Sequence, residues 1–136
     1  MVPEPVIQVP PNCELTLGMR CIDKSVAGRT VWRMRADERF ANPAGILQGG
    51  FVGAMADSAM GSAAVTFAHA AGRRVVAVNL EMKTSFLAVA RVGSTLDCTA
   101  TVMSGGSRVA FAEAEVVDDA GRTIARASST YLFTDR

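Results

Sequence analysis

Histidine is almost missing from this chain: His69 is the only one in 136 residues. That excludes a multi-histidine metal site within one chain and weakens any Ser-His-Asp scheme, whose base is an imidazole. Cysteine is also scarce. Cys13, Cys21 and Cys98 form no metal-type pair, and an odd number of thiols with no signal peptide suits a reducing, cytoplasmic setting. Charge of one sign is lacking as well, since 14 Lys and Arg meet 13 Asp and Glu. No cationic cluster offers the electrostatic footprint of nucleic-acid binding. Length permits one core and no second domain for a cofactor. The chemistry is therefore left to carboxylates, amides and the backbone, with neither metal nor resident cofactor expected.

The stretch from Phe51 to Ala68 carries a single charge, Asp57. A mid-span Asp costs about 2.5 to 3.5 kcal/mol on insertion scales, and the rest is mostly Ala, Gly and Ser. A buried helix in a soluble protein, not a membrane span, is expected. Gln48-Gly49-Gly50 opens this run, and Gly72-Arg73-Arg74 closes it with a stop residue and cations suited to the helix C-terminus. The helix should have roughly six turns.

Four of the five prolines fall in residues 1 to 12, which predicts an extended arm over 1–16 ahead of one folded domain, 17–136. Leu17 to Ile22 and Arg29 to Arg35 read as two strands, with Asp23 to Gly28 as the turn between them. After the helix, period-two alternation takes over. Val76, Val78, Leu80, Met82 and Phe86 are expected on one face of the third strand, with Ala77, Asn79, Glu81 and Lys83 on the other. Leu96, Cys98, Ala100 and Val102 share a face of the fourth strand, and Ala110, Ala112, Ala114 and Val116 one of the fifth. Ala125, Ala127, Ser129, Tyr131 and Phe133 share a face of the last. Two strands, one apolar helix and four more strands predict an α+β fold, an antiparallel sheet wrapped around one long central helix. Such a curled sheet is the hotdog arrangement.

The segment Asn42-Pro43-Ala44-Gly45-Ile46-Leu47-Gln48-Gly49-Gly50, followed by Asp57, resembles the signature of hotdog thioesterases of the phenylacetate-degradation (PaaI-like) type. Phe86 to Gly93 resembles that family's Phe-Leu-Arg-Pro-Ala turn, and Gly106 to Phe133 its closing hairpin. Two departures stand out. Gln48 occupies the usual histidine position, so only hydrogen bonding carries over. Ala88 and Val89 replace Arg-Pro, which removes a cation that could help hold a phosphate of coenzyme A. The resemblance implies hydrolysis of a small or medium acyl- or aryl-coenzyme A, with coenzyme A as part of the substrate. It also implies obligate dimers, commonly dimers of dimers.

Thioester hydrolysis needs a group that activates water or attacks the carbonyl, and donors for the developing oxyanion. Asp57 suits the first role. The backbone of Gly49 and Gly50 suits the second, because the first N–H groups of a helix lack internal partners. Gly49 and Asp57 are eight residues apart, roughly 12 Å along one helix at about 1.5 Å per residue. One carbonyl cannot touch both, so a site using both requires the Gly49 of another subunit, which predicts a two-fold dimer with shared sites. The resemblance makes Asn42 a candidate to orient water or the carboxylate and Gln48 to fix the loop or contact the acyl group. It places Asn79 where relatives often have Ser or Thr near the carboxylate. Each has a plainer role: Asn42 before Pro43 as turn chemistry, the glycine pair as helix punctuation, Asp57 as a capping group. The rival functions are a non-catalytic acyl-CoA-binding hotdog protein and a dehydratase, the second opposed by the histidine-free loop.

Overall fold

Residues 12–136 are described by a computed structural model. They form a short helix α1 (Cys13–Leu17), strands β1 (Arg20–Val26) and β2 (Arg29–Arg35), and a 3-10 turn at Glu38–Phe40. The long helix α2 (Gly49–Ala70) follows, then β3 (Val75–Phe86), β4 (Thr95–Gly105), β5 (Val109–Asp118) and β6 (Thr123–Asp135). The strands make one antiparallel sheet in the order β1-β2-β4-β5-β6-β3, with α2 against its concave face. This is the hotdog fold.

Small side chains set how closely the two layers meet. Ala56, Ala59, Ala63 and Ala64 of α2 are fully buried, as are Ala100, Ala110 and Ala112 of the sheet. Met55 and Met60 fill the remaining gaps with flexible thioethers and are also sealed from solvent. Although α2 is long and apolar enough to cross a membrane by length and composition, here it is the core helix of the wrap. It starts at Gly49, with Gln48 in the capping position, and Gly72, at a φ of 80°, turns the chain into β3.

Several expectations need correction. The extended arm does not reach residue 16, because Asn12 caps α1 by accepting from the Leu15 N–H at 3.0 Å and Gly18 ends it in the left-handed region. Residues 1–11 lie outside those described. Leu17, expected to begin the first strand, therefore ends a helix, and β1 starts at Arg20. The predicted turn at Asp23 to Gly28 shrinks to Ala27-Gly28. Asp23 does tie back to Ser25 through its N–H and hydroxyl at 2.9 and 2.7 Å, but a register shift absorbs that kink inside the β1–β2 pair.

The third correction bears on function. A register shift between Asn79 and Glu81 reverses the phase of β3. Val75, Ala77 and Asn79 turn toward α2 and Met82 packs on the core, whereas Val76, Val78 and Leu80 are exposed. The apolar face assigned to this strand is thus split across both sides, and Asn79 points inward. By contrast, the alternating faces of β5 and β6 lie as expected.

Ala63 has no exposed surface, so a leucine there must force helix and sheet apart. Ala63→Leu is expected to lower stability by about 1 to 3 kcal/mol, seen as a reduced urea midpoint with an unchanged slope.

Candidate active site

Asp57 lies two turns inside α2 and is half-buried where β3 and β6 run beneath the helix. Its Oδ1 accepts from the Tyr131 hydroxyl at 2.7 Å and from Asn79 Nδ2 at 2.8 Å. The same hydroxyl lies 2.9 Å from the Asp57 carbonyl oxygen. Asn79 and Tyr131 are direct cross-strand partners in the β3–β6 ladder, which sets both under one helical residue. Buried Ser129, one inward position before Tyr131, has its Oγ 3.2 Å from Asn79 Nδ2. Gly61, one turn after Asp57, lies beside the phenol: a Cβ there would sit in ordinary contact with the ring, at 3.5 Å.

Among the described residues, no cation forms an ion pair with Asp57. The carboxylate is held by neutral donors. Burial, reinforced by the hydrogen bond to Asp57 and its charge, pushes the Tyr131 phenol well above the ordinary tyrosine range, so it remains a donor. Buried Asn79 Oδ1 has no hydrogen-bond partner. Asp57 and Asn79 line a groove of about 700 Å³ that follows one stripe of α2, through Gly61 and Val65, between the edge strands β1 and β3.

The remaining candidates form a second group at the start of α2. Asn42 Oδ1 accepts from the N–H groups of Ala44 at 2.9 Å and Ile46 at 3.2 Å, so its acceptor builds the loop. The Leu47 N–H donates to Ala90 O at 2.9 Å, the Gln48 N–H to Phe40 O at 3.0 Å, and Phe51 stacks on Phe40 at 4.3 Å. These contacts fix the chain entering the helix. Gln48 is exposed and makes no side-chain cap, while Gly49 and Gly50 carry the first helical N–H groups, which have no partner within the helix. The Phe86 ring lies against Gly49, where a Cβ would come within 3.0 Å of it. A single chain therefore joins Asp57 to Asn79, and Asn42 and Gln48 to Gly49, in two groups about 12 Å apart along the helix.

Tyr131 escaped the sequence reading as a site residue. Its inward position on the last strand was legible, but its place beneath Asp57 depends on the pairing of β3 with β6, whose partners lie 39 to 60 residues apart in the chain.

The curled sheet, the single core helix and the lone carboxylate that this helix carries define a hotdog enzyme. The thioesterase superfamily profile matches residues 44–125, and the chain belongs to that superfamily, as a thioester hydrolase. It is 32% identical over 128 residues to the Pseudomonas aeruginosa protein PA0474, which carries a provisional description as an esterase, covering 94% of this chain and 92% of that protein. It is 25% identical over 120 residues to human acyl-coenzyme A thioesterase 13, covering 88% and 83%. In fold it is similar to the PaaI protein of the E. coli phenylacetic acid degradation operon, with a TM-score of 0.82 at 24% identity over 90% of this chain and 83% of that one.

Replacing Asn79 by Asp exchanges a donor for a second acid 2.8 Å from the first. Like charges at that distance cannot both ionise freely. Asn79→Asp should cost about a hundredfold or more in kcat, whereas the isosteric reverse, Asp57→Asn, should leave the fold's melting temperature near wild type; steady-state kinetics and calorimetry check the pair.

Proposed function

We propose that the chain hydrolyses acyl-coenzyme A thioesters, with Asp57 as nucleophile or general base and the Gly49 N–H of a partner chain as the oxyanion donor. The observation that carries this reading is a half-buried carboxylate held by neutral donors on the wall of an open groove, in a member of the thioesterase superfamily. The likeness to human acyl-coenzyme A thioesterase 13 supports coenzyme A as the thiol. As general base, Asp57 takes a proton from water while the water oxygen bonds to the thioester carbon and the carbonyl π pair moves onto oxygen. Collapse of that intermediate breaks the C–S bond, and the departing thiolate takes the proton. As nucleophile, the carboxylate oxygen attacks the same carbon and expels the thiolate, leaving a mixed anhydride that water opens.

In both routes the oxyanion needs a fixed donor. The free N–H groups at the start of α2 are of the right kind but lie about 12 Å from Asp57 within one chain. A second copy supplies the missing half. The outer edge of β3 favours such pairing, because Val76, Val78 and Leu80 are 45%, 43% and 55% exposed on a strand that has a neighbour on one side only.

A panel of short, medium, long and aryl acyl-coenzyme A thioesters, read by thiol release, tests the activity. Wild type should hydrolyse at least one class, and Asp57→Asn should lose about a thousandfold or more in kcat while still binding it. Equal rates for the two proteins across the panel would overturn the reading.

Subunit complementation tests the shared site. Proline at the first helical position is compatible with the helix, removes the N–H and pushes the Phe86 ring aside, so Gly49→Pro and Asp57→Asn homodimers should each be inactive. Refolded together, they should regain activity, because mixed dimers hold one site with both groups intact. If the sites were confined to single chains, the mixture would stay inactive.

A further inference from the structure

We infer that Tyr131 is a positioning residue for the hydrolysis: its hydroxyl, with Asn79 Nδ2, anchors Asp57 by Oδ1 and leaves Oδ2 as the oxygen that meets water or thioester. The inference rests on the acyl-thioester reading of this site and specifies which atom of it reacts.

The geometry is asymmetric. Both donors, at 2.7 and 2.8 Å, converge on Oδ1, and among the described residues no donor reaches Oδ2. A carboxylate on a helix otherwise rotates about χ1 and χ2, and the two oxygens exchange. Two donors from neighbouring strands remove that freedom. Tyr131 is suited to the task because nothing else about it is free to move. It is 1% exposed, its backbone is in the β5–β6–β3 ladder, and its ring lies against α2 beside Gly61. The hydroxyl, whose one proton goes to Oδ1, also lies 2.9 Å from the Asp57 carbonyl oxygen, so it sits against both backbone and side chain of that residue. With Oδ1 so occupied, Oδ2 is the oxygen available to the groove that Asp57 lines.

A purely structural hydroxyl offers a direct contrast. Buried Thr30 donates to the carbonyl oxygen of Ala59 on the same helix, at 2.9 Å, without touching Asp57. Tyr131→Phe and Thr30→Val each remove one hydroxyl from an α2 carbonyl, and both should melt somewhat below wild type. Only Tyr131→Phe should also lower kcat, by about 10- to 100-fold at an unchanged KM, as expected when a reacting group is held less firmly. If wild type is active and the two variants share the same kcat, Tyr131 is structural and the inference falls while the thioesterase reading stands. If wild type hydrolyses nothing on the panel, that reading falls and takes this one with it.

Should Tyr131→Phe fail to fold, the contact is measured in intact protein. Tyr131 is the only tyrosine in the chain, so phenolate absorbance reports this site alone. Its onset should move to lower pH in Asp57→Asn than in wild type, because the negative neighbour that disfavours phenolate is gone. Identical titrations would overturn the inference.

Discussion

The depth to which α2 sinks into the curved sheet governs everything else in the molecule. That depth is set by alanine. A helix faced with leucine would stand at the usual interlayer distance, and no strand side chain would then reach past it to a polar group on its flank. With Ala59, Ala63 and Ala64 of the helix and Ala100, Ala110 and Ala112 of the sheet all sealed from solvent, the layers pack closely, and inward-facing strand residues come within hydrogen-bonding range of the helix. Thr30 reaches the Ala59 carbonyl from β2, and Tyr131 reaches Asp57 from β6. The same closeness that removes voids also brings donors to the acid.

From this follows a division of labour along one helix. Its first turn faces the loop built around Asn42, where unpaired N–H groups and the positive end of the dipole are available. Its third turn carries the carboxylate. The rigid rise of an α-helix keeps the two about 12 Å apart within one chain. On the flank of the same helix, β3 is an edge strand that exposes Val76, Val78 and Leu80.

Much of this was legible in the sequence, and the failures have definite causes. The bounds of α2 could be read because glycines punctuate both ends and one charge interrupts an apolar run, all of them local signals. The inward faces of β5 and β6 could be read because both strands keep strict alternation over most of their length. On β3 the register shift after Asn79 inserts a step that alternation cannot foresee, so Val76 and Met82 were assigned one face and occupy two. Leu17 looked like strand because apolar residues continue beyond it, but the Asn12 cap and Gly18 decide otherwise. Asp57 and Asn79 could be singled out by motif. That Tyr131 meets them could not, since the pairing of the third strand with the sixth is a property of the finished sheet.

The choice of neutral donors around Asp57 has a chemical reason. An arginine or lysine at the Tyr131 position would also compensate a half-buried charge, and more strongly. It would do so by favouring the ionised form so heavily that the carboxylate became a poor base and a poor nucleophile. A phenol and an amide instead hold the carboxylate by hydrogen bonds that bring no positive charge against it. The phenol's own burial ensures that it never competes for the role of anion, because its ionisation is pushed well above the ordinary range. The phenol thus stays protonated beside Asp57 and keeps its hydroxyl available to donate to Oδ1.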